Sequence, residues 1–197
     1  MPSIANFFYA QLFARIPRPT ASFASKTVVI TGANGGMGKE IAKHVIRLGA
    51  PSVIFGCRSL ARGQEAKAEV ETELKCSGDI IQVWNLDIES PASISGFVEK
   101  AQGLSRLDVL VSNAGVQRSQ FEVAYDTERC VGINVIGTWL LAIQLLPKLR
   151  ETALKFNVTP HATFVSSALY DVAKWPEEPV DDIFAWASDK THMQFNQ

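Results

Sequence analysis

Thr27-Val28-Val29-Ile30-Thr31-Gly32-Ala33-Asn34-Gly35-Gly36-Met37-Gly38 is the stretch that decides the fold. Its first part is short, apolar and β-branched, the composition of a strand buried on both faces. Its second part is a glycine-rich turn. Beyond it, Lys39 to Leu48 sets Ile41, Ala42, Val45 and Ile46 at helical spacing, and Gly49 stands where a helix would stop. Strand, glycine turn and helix in that order suit one chemistry. A pyrophosphate has to approach the backbone closely, and side chains on the turn would hold it off. The helix start offers N–H groups without intrahelical partners and the positive end of the dipole. Gly32, Gly36, Met37 and Gly38 are therefore candidate contacts to the phosphates of a dinucleotide.

Outward from this unit the same alternation repeats. Ser52 to Cys57 reads as a second strand, Leu60 to Leu74 as a helix rich in Ala, Glu and Lys, and Asp79 to Trp84 as a third strand. Ser90 to Ala101 is a further helix, Leu107 to Val111 a fourth strand, Thr127 to Leu149 a long apolar helix, and Ala162 to Val165 a fifth strand. Strict strand–helix alternation implies right-handed crossovers and a parallel sheet with helices on both faces. Pro17 and Pro19 separate an arm, residues 1–23, from this domain of residues 24–170. The arm is read as packed on the domain, with a membrane-surface contact as the alternative. Residues 171–197 read as a loop-rich tail with a helical turn at Asp181 to Ala187.

Composition narrows the class. Of 197 residues, 47% are hydrophobic and 20% charged, and the net charge is −1, which gives no footprint for nucleic acid. The longest uninterrupted apolar runs fall short of a membrane span. Cys57, Cys76 and Cys130 have no metal or redox spacing, so no metal site is expected and reduced thiols point to the cytoplasm. His44, His161 and His192 have no carboxylate or Ser placed beside them in sequence to orient them.

Thr-Gly-x-x-x-Gly-x-Gly, carried by Gly32, Gly36 and Gly38, resembles the short-chain dehydrogenase/reductase pattern, and later motifs agree in order. Leu86-Asp87-Ile88 follows the third strand, where Asp87 matches the residue that contacts the adenine amino group. Asn113-Ala114-Gly115 is similar to the element that steadies the sheet beside the cofactor. Asn134, in Ile133-Asn134-Val135, matches the Asn that orders a proton-relay water. In Val165-Ser166-Ser167, Ser167 is the better match to the catalytic Ser. The resemblance covers about residues 24 to 170. It implies a Rossmann-type doubly wound α/β sheet of strand order 3-2-1-4-5, without the family's last strands, and a small-molecule carbonyl or alcohol substrate. It also implies a possible homo-oligomer. Pro17-Arg18-Pro19-Thr20-Ala21-Ser22-Phe23 resembles fungal members, many of which act in secondary metabolism.

Cofactor choice is set after the second strand. An acidic residue there would bind the ribose 2′-hydroxyl and favour NAD. This chain has Arg58 at that point, whose guanidinium suits a 2′-phosphate, so NADP is the expected cofactor. The family chemistry also needs a Tyr and, four residues later, a Lys on a helix. Tyr170 and Lys174 have that spacing, but Tyr170 follows Ser167 by only three residues, and Pro176 allows one helical turn at most. The pair is read as a decoy, with the chain ending ahead of the true one. Two readings stay open: an NADP-dependent ketone/alcohol oxidoreductase, and a truncated, inactive dinucleotide-binding protein.

Overall fold

The computed structural model describes residues 9, 12–15, 17–76, 78–167, 176 and 179–192. The alternating units appear in the expected order: β1 (Thr27–Thr31), α1 (Gly36–Arg47), β2 (Ser52–Cys57), α2 (Leu60–Leu74), β3 (Ile81–Asn85), α3 (Pro91–Gln102) and β4 (Val109–Ser112). A hairpin of β5 (Val123–Ala124) and β6 (Thr127–Glu128) comes next. It leads into one continuous helix, α4 (Arg129–Phe156). β7 (His161–Phe164) is the fifth strand of the sheet, and α5 (Ile183–Ala187) lies in the tail. The sheet order is β3-β2-β1-β4-β7 with every neighbouring pair parallel, which is the doubly wound 3-2-1-4-5 arrangement.

Strand alternation builds two cores. Val28, Ile30, Val53, Phe55, Val109 and Val111 face α1 and α2. Val29, Ile54 and Leu110 face α3 and α4, where they meet Phe97, Leu141 and Leu145. Such strands, apolar on both faces, belong in the middle of a covered parallel sheet. Each fully buried side chain of this size contributes roughly 1.5–3 kcal/mol.

Several boundaries differ from the sequence reading. β4 begins at Val109, not Leu107, because Asp108 closes the base of the sheet. Its Oδ2 accepts the Thr27 N–H at 2.8 Å, and Arg106 grips the same carboxylate. α1 begins three residues before Lys39, inside the glycine turn, where there is no side-chain periodicity to read. Thr127 belongs to the hairpin and not to the long helix. That helix runs on through Pro147 to Phe156 and stops at Asn157, which takes the left-handed conformation (φ 50°) that ends many helices. By length and composition α4 is apolar enough to cross a membrane, which the count of uninterrupted apolar runs had missed. Here Leu141, Leu145 and Leu149 pack it into the core as a sheet-covering helix.

Candidate dinucleotide-binding site

The strands of a parallel sheet end on one edge, and a cleft of about 290 Å³ opens there. Its walls include Gly32 and Asn34 from the turn after β1, Gly56 and Arg58 from the end of β2, Asp87 after β3 and Asn113 after β4. Four sequence-predicted residues thus come together: Gly32, Arg58, Asp87 and Asn113.

The turn is pressed onto the end of β4. Gly32 has φ +69°, and a Cβ there would lie 3.0 Å from the Ala114 Cα. A Cβ on Gly38 would lie 2.7 Å from both the Asn113 Nδ2 and the Gly32 carbonyl. Thr31, fully buried, turns its hydroxyl oxygen to the N–H groups of Asn113 (2.9 Å) and Ala114 (2.8 Å). Asn113 Nδ2 donates back to the Thr31 carbonyl at 2.9 Å. Asn113 therefore steadies the glycine turn from below. Gly35 precedes α1 without a side-chain cap bond, which leaves the amides at the helix start without that partner. Gly36 and Met37 border a neighbouring groove along α1, of about 480 Å³, together with Lys39 and His44.

At the end of β2 the Arg58 backbone is held by Asn85, whose Nδ2 donates to the Arg58 carbonyl at 3.1 Å. The Cys57 thiol beside it is buried, which pushes its pKa up, while the backbone N–H groups of Asn34 and Ala33 act in the opposite direction.

Asp87 sits in a loop clamped from several sides. Its N–H donates to Ser93 Oγ at 2.9 Å, and its Oδ1 accepts the Glu89 N–H at 3.0 Å. Sequence reasoning missed the other half of the clamp. The β5–β6 hairpin turns through Tyr125 and Asp126, both with positive φ. Neither Gly nor Asn marks the turn, so the usual signal is absent. Tyr125 donates its hydroxyl to the Ile88 carbonyl at 2.6 Å, and Arg129 pairs with Glu89 at 2.6 Å and also with Glu122. Burial first, and then the Asp87 and Glu89 carboxylates, raise the Tyr125 phenol above its ordinary value. Ser188, just past α5, holds the hairpin in turn: its hydroxyl accepts the Glu128 N–H at 3.1 Å and bonds the Thr127 hydroxyl.

Asn134 lies in a π-helical stretch of α4, Gly132–Gly137. Both of its amide atoms are used by Val116: Oδ1 accepts the Val116 N–H and Nδ2 donates to the Val116 carbonyl, each at 2.8 Å. Gly137 is required at the end of that stretch, since a Cβ there would run into the Ile88 carbonyl. β4 continues to guide the chain after β7, with the Val165 N–H donating to the Ser112 carbonyl at 2.9 Å, and Ser167 follows in an exposed position. Tyr170 and Lys174 lie outside the described residues.

Residues 26–167 match the family model described as short chain dehydrogenase. Among curated relatives, the short chain dehydrogenase/reductase dmxR8 of Cryptosporiopsis sp. is 39% identical over 188 residues, covering 94% of this chain and 58% of the relative. The short chain dehydrogenase atnD of Emericella nidulans is 33% identical over 197 residues, covering 99% of this chain and 62% of the relative. The chain thus spans about three-fifths of the length of these relatives. Among solved structures, a 3-ketoacyl-(acyl-carrier-protein) reductase from Brucella melitensis complexed with NADH matches with TM-score 0.64 and 27% identity, over 85% of this chain and 64% of that one. A short-chain dehydrogenase from Sphingobium yanoikuyae in complex with NADPH matches with TM-score 0.61 and 24% identity, over 73% and 54%, a likeness of fold alone. With its parallel sheet, its glycine turn and these matches, the chain belongs to the short-chain dehydrogenase family.

Proposed function

We propose that this chain binds NADP(H) in the cleft at the strand ends and serves an NADP-dependent interconversion of a carbonyl and an alcohol. One observation carries the cofactor assignment: Arg58 stands at the end of β2, in the cleft, where NAD-binding sites place a carboxylate. The residues present fit a dinucleotide. A Cβ on Gly32 would meet Ala114 and one on Gly38 would crowd the turn's own backbone, and the uncapped start of α1 leaves amides for a phosphate. When bound, the dinucleotide would supply or accept the hydride at the carbonyl carbon. The chain's own residues do the holding. The turn and helix start receive the pyrophosphate, Arg58 the 2′-phosphate, and Asp87 the adenine amino group. The Ser167 hydroxyl would orient the substrate oxygen. Asn134, whose amide bonds both main-chain groups of Val116, would order a proton-relay water. The likeness to fungal short-chain dehydrogenases supports a fungal biosynthetic setting, and the sparse cysteines support the cytoplasm.

Direct titration tests the assignment. NADPH should bind more tightly than NADH, and Arg58→Ala should remove most of that preference, on the order of 1 to 3 kcal/mol for a charge-assisted contact. Equal affinities in the unmutated chain would sink it. A second reading concerns catalysis by these 197 residues alone. Tyr170 is the sole Tyr after Ser167 and follows it too closely to face it from an opposing helix. We infer that these residues by themselves bind the dinucleotide with negligible turnover, since loss of one general acid typically costs about 10² to 10⁴ in rate. Reductase turnover that Tyr170→Phe abolishes would refute this reading.

A further inference from the structure

We propose that Tyr125 is a positioning residue for the adenine end of the cofactor, acting on the Asp87 carboxylate through a single peptide unit. The inference rests on the dinucleotide reading above, in which Asp87 receives the adenine amino group. Asp87 to Ser90 form a turn, closed by the Ser90 N–H donating to the Asp87 carbonyl at 3.1 Å. The central peptide of this turn joins Ile88 to Glu89, and its orientation is what distinguishes one turn type from another. Both ends of that peptide are held. The Glu89 N–H donates to Asp87 Oδ1 at 3.0 Å, and the Ile88 carbonyl accepts the Tyr125 hydroxyl at 2.6 Å. In a planar trans peptide the N–H and C=O point in opposite directions, so fixing the oxygen also aims the N–H. Tyr125 thereby orients the carboxylate from the far side of the peptide plane. Among the described residues Asp87 Oδ2 has no hydrogen-bond partner, and Asp87 lines the cleft, which leaves that oxygen for a ligand.

The hairpin holds Tyr125 in place against its own preference. Tyr125 and Asp126 are the central residues of the β5–β6 turn, with φ 56° and 57°. Such turns favour Gly and Asn, and a bulky side chain strains the left-handed backbone. Strain of this kind collects at functional positions, and here it carries the phenol out of the hairpin to a turn 37 residues earlier. Burial, and then the Asp87 and Glu89 carboxylates, keep the proton on the phenol, so it remains a donor. Arg129 grips the Glu89 side chain of the same turn, whereas Tyr125 grips the peptide itself. An oriented carboxylate is an acceptor only, and it selects a donor. Adenine offers an amino group. Hypoxanthine carries an oxygen at that place and sets acceptor against acceptor.

The test is a set of titrations on the full chain with NADPH, NADH and the hypoxanthine analogue of NADPH, for the unmutated protein, Tyr125→Phe, Tyr125→Asn and Asp87→Ala. The unmutated chain should prefer NADPH to the hypoxanthine analogue by about tenfold, the size of one hydrogen bond to a charged group. Tyr125→Phe removes only the hydroxyl and should cut that preference by about threefold or more, while the NADPH-to-NADH ratio stays within about twofold. Tyr125→Asn removes the same donor and suits the left-handed backbone, so it gives the answer if the Phe variant loosens the hairpin. In an Asp87→Ala background Tyr125→Phe should change the preference no further, because the two residues act as one unit. Equal losses for all three ligands leave the preference unchanged, mark Tyr125 as merely structural and overturn the inference, with Asp87 still assigned to adenine. If Asp87→Ala itself leaves the preference unchanged, or the unmutated chain binds no dinucleotide, the reading of the site fails and this inference with it.

Discussion

β2 and β7 lie in the same sheet, and their surroundings are opposite. All of β2 except Ser52 is buried, with α1 and α2 over one face and α3 and α4 over the other. Among the described residues β7 pairs with β4 alone, its first three residues are exposed, and its one half-buried side chain, Phe164, stacks on Trp139 with ring centroids 4.5 Å apart. Beside β7, α4 shows an apolar stripe of Val135, Trp139, Ile143 and Leu146, with Ile143 62% exposed. The contrast separates two kinds of apolar surface that look alike in sequence. At β2 the apolar pattern is already covered and supports the cleft directly above it. At β7 and α4 it is open, and it contributes little to the stability of the domain.

The largest expected difference is therefore in stability. Phe55→Ala should cost about 3–5 kcal/mol, as large-to-small changes in a packed core do. Ile143→Ala should cost less than about 0.5 kcal/mol. Denaturant unfolding of the two variants checks this, and similar costs would erase the contrast. The next effect sharpens the covered side. Gly38→Ala puts a Cβ against the Asn113 amide and the Gly32 carbonyl, an overpacking of about 1–3 kcal/mol. Gly35→Ala meets open space on an extended backbone and serves as its control. Dinucleotide binding should fall far more in the first than in the second, and equal losses would refute the packing argument.

On the open side, a strand edge without a partner among the described residues, beside an apolar stripe, invites association. The 197 residues expressed alone should elute above monomer mass, and Ile143→Glu should shift them towards monomer while barely moving the melt. A dispersed monomer by light scattering would show that the stripe is covered. The smallest effect is in the clamp on the Asp87 loop. The Arg129 guanidinium holds the Glu122 carboxyl below its ordinary value near 4.5. Its stabilising contribution is therefore complete above that value and is lost as the pH falls through the depressed one. Glu122→Gln should flatten the acid limb of the stability curve below about pH 4.5. An unchanged limb would mean that the ion pair is screened by solvent.

Much of this was legible along the chain. Two-faced apolar strands alternating with amphipathic helices leave a parallel sheet as the arrangement that buries them, and the order of motifs placed Gly32, Arg58, Asp87 and Asn113 at the strand ends. Local periodicity is enough for this because it depends on neighbours within a few residues. The clamp was not legible. Arg129 meets Glu89 across 40 residues, and Tyr125 reaches Ile88 across 37, through a hairpin without a turn signal. Nor was the role of the Asn134 amide, which Val116 takes up across 18 residues. Which side of α4 is covered was also undecided, because an apolar residue has the same spacing whether or not a neighbouring element reaches it. Such contacts depend on how closely one element approaches another, and only the packed tertiary structure sets that distance.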